Sequence, residues 1–157
     1  MHERAVEFRE RARAEHGFDP PIQEFGEGET RTVEAAAEQL GCAPAQIAAS
    51  IVVMADDDPV LVVKSGAGRV DLDRVGTLLG ADAVRTADPE EVQAATGWSI
   101  GGVPPFCHEE GVSVIVDEAL FGYETVYAAA GTPETLFAVD PDRIAAFTDG
   151  EVVAITE

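Results

Sequence analysis

Two apolar, β-branched runs, at residues 50–54 and 60–63, do most to limit the folds open to this chain. Each is short and rich in valine and isoleucine, and only Asp56-Asp57-Asp58-Pro59 separates them, which predicts an antiparallel hairpin. Neither run alternates with polar residues, so both faces of the hairpin are expected to be buried. A sheet covered on both sides needs layers above and below it, and the rest of the chain must supply them.

Helix signals are frequent. Thr32 caps a helix striped by Val33, Ala36, Ala37 and Leu40, with Glu34 in its first turn and Gly41 after its last. Residues 44–47 read as a helical turn. Asp71 caps another helix, with Leu72, Val75 and Leu79 inward and Gly80 at the exit. Asp88-Pro89-Glu90-Glu91 combines an N-cap, a proline at the first position and a capping-box glutamate, and opens a helix to Thr96. Asp140-Pro141 opens a last helix through Phe147. Residues 3–16 also read as a helix: Ala5, Phe8 and Ala12 share a face, Glu7 and Arg11 are spaced as an i,i+4 pair, and Gly17 can end it. Its apolar face is weak, which predicts a helix on the domain surface.

Further short strands are expected at 22–25, 83–85, 112–116, 125–128, 136–139 and 151–155. Several strand pairs lack a crossover helix. That argues against a doubly wound parallel sheet and for a mixed, mostly antiparallel α/β (α+β) fold. At 157 residues the expectation is one domain, 1–157, with residues 1–20 as N-terminal helix and connector.

Residues 97–120 differ in character. Gly101-Gly102 lets backbone approach a neighbour closely, because glycine has no Cβ to clash. Pro104 and Pro105 stiffen the exit, and an apolar strand then delivers Asp117. A rigid loop poor in side chains, beside a core strand, is either the floor of a binding site or a wide turn.

Charge is the strongest global signal. Ten basic residues against thirty acidic ones give −20, and Lys64 is the single lysine. The acids are spread along the chain, which fits adaptation to molar intracellular salt, where the Debye length is about 3 Å and carboxylates barely repel. Such a charge disfavours loose binding to nucleic acid, DNA included, but not a terminus held in a shaped pocket. There is no apolar run long enough to span a membrane and no apolar signal core near the N-terminus. Two cysteines, Cys42 and Cys107, build no disulfide framework, so a reduced, cytoplasmic protein is expected.

The catalytic motifs are mostly negative. Cys107 and His108 are adjacent, and neighbours on extended chain point to opposite faces, so they make a poor nucleophile–base pair. His2, His16 and His108 are scattered and the carboxylates lack EF-hand spacing, so no metal is predicted. Gly66-x-Gly68 lacks the rest of a dinucleotide or P-loop motif. Lys64 at a strand end either reaches solvent or holds an anion, with Arg69 and Arg74 nearby in sequence. Asp117 is either a ligand acceptor or the N-cap of a helical turn.

The run Gly101, Gly102, Val103, Pro105 and Phe106, followed by a polar loop and an apolar strand ending in Asp117, resembles the signature of YbaK/ProX-type aminoacyl-tRNA editing domains. These are similar to the insertion domain of bacterial prolyl-tRNA synthetases. The likeness extends from about Glu29 to Val153, through Ser65-Gly66, Arg69-Val70-Asp71 and Thr96-Gly97. It implies a curved, partly closed sheet flanked by helices and a trans-editing hydrolase that deacylates a mischarged tRNA, tRNA(Pro) first, without an organic cofactor. The implied partners are the aminoacylated 3′ end and an aminoacyl-tRNA synthetase. The implied catalytic residues are Gly101, Gly102 and Asp117. Ser50, Val103, Pro105 and Phe106, with Phe25 and Lys64, are the implied substrate-binding set.

One departure stands out. The family pattern Ile-x-Lys-Ser/Thr-Leu-Val aligns with Ile47-Ala48-Ala49-Ser50-Ile51-Val52, so the lysine that holds or polarises the substrate is replaced by Ala49. Catalysis then rests on backbone N–H groups of the Gly101-Gly102 loop, with water or a ribose hydroxyl carrying the protons. Alternatively, the site has kept its shape as a non-catalytic aminoacyl-tRNA or amino-acid binding module. A hydrolase of another small ester or amide is a further possibility.

Overall fold

The computed structural model describes residues 1–109 and 112–156. Glu110, Gly111 and Glu157 lie outside the described residues, and with them part of the polar loop before Val112. Five α-helices run Glu3–His16 (α1), Val33–Leu40 (α2), Leu72–Leu79 (α3), Pro89–Thr96 (α4) and Pro141–Thr148 (α5). Eight strands run Ile22–Glu24 (β1), Ala48–Ala55 (β2), Asp58–Ser65 (β3), Val84–Thr86 (β4), Ser113–Asp117 (β5), Val126–Ala129 (β6), Thr135–Val139 (β7) and Glu151–Val153 (β8).

The hairpin is the spine. β2 and β3 pair antiparallel from Ala48↔Ser65 to Ala55↔Asp58. Both strands are longer than the apolar runs alone indicate. The turn shrinks to Asp56 and Asp57, both left-handed at φ 49° and 70°, the twist that suits a two-residue hairpin loop. Asp56 holds the neighbouring chain as well: its carboxylate accepts from Ala83 N at 2.9 Å.

Five strands form one sheet in the order β4-β2-β3-β5-β8, with β3–β5 and β5–β8 parallel, and three form a second in the order β1-β7-β6. Among the described residues one bridge, Ile47↔Tyr127, links them. The result is a mixed α/β fold with helices flanking the sheets, as expected. Side chains alternate across the hairpin: Val53, Val60 and Val62 join Val75, Ile115 and Ile155 on one face, while Val52, Leu61 and Val63 join the main core on the other.

The N-terminal helix corrects the sequence expectation. Its apolar face is weak but not superficial: Ala5, Phe8 and Ala12 are fully buried. Phe8 meets Phe137, Phe106 and Trp98 at ring-centroid distances of 5.0, 5.5 and 6.3 Å. One large side chain is enough, because its partners come from distant segments. The Glu7–Arg11 pair does not form. Arg4 takes Glu7 at 2.7 Å, and Arg11 turns to Glu15 at 2.8 Å while also donating to His108 O. Leu79 is another correction: it stands 37 % exposed, because the last turn of α3 lies beside the end of the hairpin, with no sheet left to cover.

Helix boundaries follow the caps. Asp88 Oδ1 accepts from Glu91 N at 2.9 Å and Glu91 Oε1 from Asp88 N at 3.0 Å, so the capping box closes in both directions. Thr32, Asp71 and Asp140 each accept from a first-turn amide.

Candidate active site

β4 pairs only with Val53–Ala55 of β2. Between the bond from Ala87 N to Val52 O and the Ile47↔Tyr127 bridge to β6, the edge of β2 pairs with no strand on that side among the described residues. This open edge forms one wall of a cavity of ≈ 280 Å³. α2 supplies Val33 and Ala36, the glycine loop supplies Gly101 and Val103, and the second sheet supplies Ala129 and Leu136. The site therefore sits where the two sheets meet.

The lining is mostly aliphatic, with two exceptions that matter chemically. Ser50 Oγ is buried at the wall and has no hydrogen-bond partner among the described residues. Leaving a buried hydroxyl unpaired costs about 1–3 kcal/mol, so Ser50 calls for a bonding partner. Arg31, in the loop before α2, is the one charged side chain lining the cavity among the described residues.

The glycine loop divides its work. Gly102 N–H already donates to Ser99 O at 3.0 Å, so it is not free to stabilise an oxyanion. Gly101 lines the cavity at φ 86°, and its N–H finds no acceptor among the described residues. Gly102 is glycine for another reason: a Cβ there would lie 2.8 Å from Thr132 Cα and 2.9 Å from Gly131 O. The loop packs against backbone at 131–132, and only glycine lets it do so.

The remaining expected residues are placed elsewhere. Val103 lines the cavity, but Pro105 and Phe106 are buried behind it, with Phe106 in the aromatic cluster of Phe8, Phe137 and Phe147. Asp117 is 1 % exposed and committed to the chain itself: Oδ2 accepts from Ser65 N at 2.9 Å, and Oδ1 from Ala119 N at 3.0 Å and Thr156 Oγ1 at 3.4 Å. It caps the short 3-10 helix Glu118–Gly122 and ties it to the end of β3. Phe25 lines a separate hollow that shares Pro133 with the cavity. Lys64 is the register partner of Ala49 but reaches along the next turn, donating to Ser65 O at 3.1 Å and Gly68 O at 2.8 Å.

No local pattern marks Arg31, Thr86 or Pro133 as site residues.

The Cys107–His108 pair lies outside the cavity. Burial pushes the Cys107 thiol up to about 12, and burial also lowers His108 to about 4. His108 Nε2–H donates to Pro104 O at 2.5 Å. A protonated thiol beside a neutral imidazole committed elsewhere is inert at neutral pH. Titration of the folded protein with a thiol reagent should therefore modify no more than Cys42, and both cysteines should react after unfolding. Rapid modification of Cys107 in the folded state would contradict this. Glu15, His16 and Cys107 hold donor atoms within 4.8 Å of one another. Glu15 is already paired with Arg11 there.

Fold and cavity together define an α/β domain with a small, largely aliphatic cavity where its two sheets meet. Residues 27–147 match the sequence model of the aminoacyl-tRNA editing domain, and the chain belongs to that family. YwhH of Bacillus subtilis (strain 168) is 33 % identical over 132 residues, 83 % of each chain. The proline–tRNA ligase of Aquifex aeolicus (strain VF5) is 28 % identical over 141 residues, covering 88 % of this chain but 24 % of the ligase. The crystal structure of a candidate trans-editing enzyme for prolyl tRNA synthetase superposes with a TM-score of 0.93 at 34 % identity, over 100 % of this chain and 99 % of that one. No described helix is long and apolar enough to cross a membrane.

Proposed function

We propose that this chain hydrolyses the ester between a wrongly attached small amino acid and the 3′-terminal ribose of a tRNA, with tRNA(Pro) as the first candidate. The observation that carries this reading is the unpartnered Ser50 hydroxyl on the wall of an aliphatic cavity. A volume of ≈ 280 Å³ lies at the low end of ligand pockets, which run to about 300–1,000 Å³, and so favours a small aminoacyl group.

In this reading the amino-acid side chain lies against Val33, Ala36, Ile47 and Leu136. Ser50 Oγ and the Gly101 N–H orient the ester carbonyl. Arg31 supplies the cation that the family pattern carries at position 49. Water adds to the carbonyl carbon, the bond to the ribose oxygen breaks, and that oxygen leaves with a proton. Donors aimed at the developing oxyanion are worth about 10²–10³ in rate. Gly102, Pro105, Phe106 and Asp117 act at one remove, holding the walls in place.

The register gives a reason for the moved cation. A lysine at 49 would stand directly across the ladder from Lys64, and like charges so placed are destabilising. Ala49 also favours a second reading, a pocket that binds an aminoacyl group without cleaving it. The same experiment separates the two: deacylation of alanyl- and cysteinyl-tRNA(Pro) beside cognate prolyl-tRNA(Pro), in molar KCl with folding monitored. Release of one noncognate amino acid with proline retained is the expected result. No release by a folded sample would leave the binding module.

A further inference from the structure

In so acidic a chain, a cation left without a carboxylate is informative. Five of the ten cations are taken: Arg4 by Glu7, Arg11 by Glu15, Arg13 by Asp19, Arg85 by Glu91 and Arg143 by Asp140. Of the other five, Arg74 donates to Ala154 O and Arg9 has a buried Nε. The remaining three, Arg31, Lys64 and Arg69, have no carboxylate within salt-bridge distance among the described residues. All three line concavities that adjoin one another.

Arg31 lines the cavity. Lys64 and Arg69 line an open groove with Ile51, Gly68, Leu72 and Thr86. Ile51 and Thr86 belong to both, so the groove continues from the mouth of the cavity around the free edge of β2. Lys64 is held rigidly by two carbonyls and retains its third N–H. Glu34 and Asp117 lie close enough to act on Lys64, so Arg69 carries more of the attraction for an outside anion.

We infer that this groove binds the sugar–phosphate backbone of the single-stranded 3′ end, with phosphates on Arg69 and Lys64 while the terminal aminoacyl group enters the cavity past Thr86. The inference rests on the proposed function for the chemistry of its occupant. Phosphate contacts of this kind position a strand without reading its sequence. Arg suits the task, since its guanidinium fork matches phosphate oxygens and stays charged. The sharing of Ile51 and Thr86 sets the direction of the strand: out of the cavity, across β2, toward the turn at 65–69.

The test compares two substrates that share the terminal aminoacyl ester, a mischarged tRNA that carries the phosphate backbone and the corresponding 3′-aminoacyl-adenosine that lacks it. Arg69→Gln should lower kcat/KM for the tRNA at least 10-fold and leave hydrolysis of the aminoacyl-adenosine unchanged. Across a KCl series in which circular dichroism shows folded protein, its log–log salt slope should fall by about 0.7, the value for one phosphate on a single strand. Equal loss on both substrates, or loss on neither, overturns the groove assignment.

If wild type cleaves neither substrate, the proposed function fails, and the groove is tested by binding alone. A fluorescent single-stranded RNA ending in CCA should bind wild type at least 10-fold more tightly than Arg69→Gln. Equal binding, or equal displacement by a polyglutamate peptide of matched charge, overturns the inference.

Discussion

Replacing Arg31 with glutamine should lower kcat/KM for deacylation about 100-fold, and adding Ala49→Lys to that variant should restore at least a factor of ten. Arg31 is the one charged side chain on the cavity wall among the described residues, and the rest of the lining is largely aliphatic. Arg31 is exposed where it borders the cavity, so its charge is partly screened by water and its effect rests on direct reach to the developing oxyanion. A 100-fold loss corresponds to about 2.7 kcal/mol of transition-state stabilisation, within the range for a single oxyanion donor. Ala49 lines the same cavity, so a lysine there could return a charge to it. The double variant makes the test specific, because a merely structural role for Arg31 would not be repaired from position 49. Steady-state deacylation of both variants decides it. Activity of Arg31→Gln within threefold of wild type would remove the cation from the mechanism and leave the Gly101 N–H and Ser50.

Gly102→Val should abolish activity and also lower Tm by about 2–12 °C. The resemblance implies a glycine that admits the ligand. The structure instead places its missing side chain against the chain's own backbone, 2.8 Å from Thr132 Cα. Backbone cannot swing aside as the end of a side chain can, so the loop must move. Overpacking of this kind costs about 1–3 kcal/mol, and a domain of this size loses about 2–4 °C per kcal/mol. Gly101→Ala is the contrasting variant. Its methyl would meet only Pro133 Cγ at 3.4 Å, and the cost is that of forcing alanine to φ 86°, about 1–2 kcal/mol, at the rim of the cavity. Thermal melts of the two variants beside their rates separate packing from catalysis. An unshifted Tm for Gly102→Val would mean that the 99–103 loop adapts freely.

What could be read in the residues alone was mostly local. Asp88, Pro89 and Glu91 determine the start of α4 within four positions, and the two bonds they predict are both present. The hairpin was equally plain, because residues 50–54 and 60–63 have few other ways to hide their apolar surface. The site was less legible for a physical reason. Its walls come from positions as distant as 31, 50, 101 and 133, and its opening exists because β4 stops after pairing with Val53–Ala55. No spacing rule encodes where a neighbouring strand ends. Asp117 shows the same limit: its type suits both a cap and a ligand acceptor, and only the arrival of Ser65 N and Ala119 N at its oxygens distinguishes them. The thin apolar face of α1 hides the weight of Phe8 in the sequence. The depth of its burial depends on Trp98, Phe106 and Phe137, which the sequence places far away.

That burial has a consequence for synthesis. Phe8 cannot find Phe137 until residue 137 has been made, and at about 5–20 residues per second the interval is roughly 6–26 s. During it α1 must wait on the nascent chain with its one large apolar side chain uncovered. Eight of its fourteen residues are Glu or Arg, in the sequence ERAVEFRERARAEH, which keeps the waiting segment hydrated and poorly attractive to other chains. The thin apolar face that makes α1 look superficial is therefore what makes its late docking safe, and a broader stripe would trade that safety for earlier, less selective contacts.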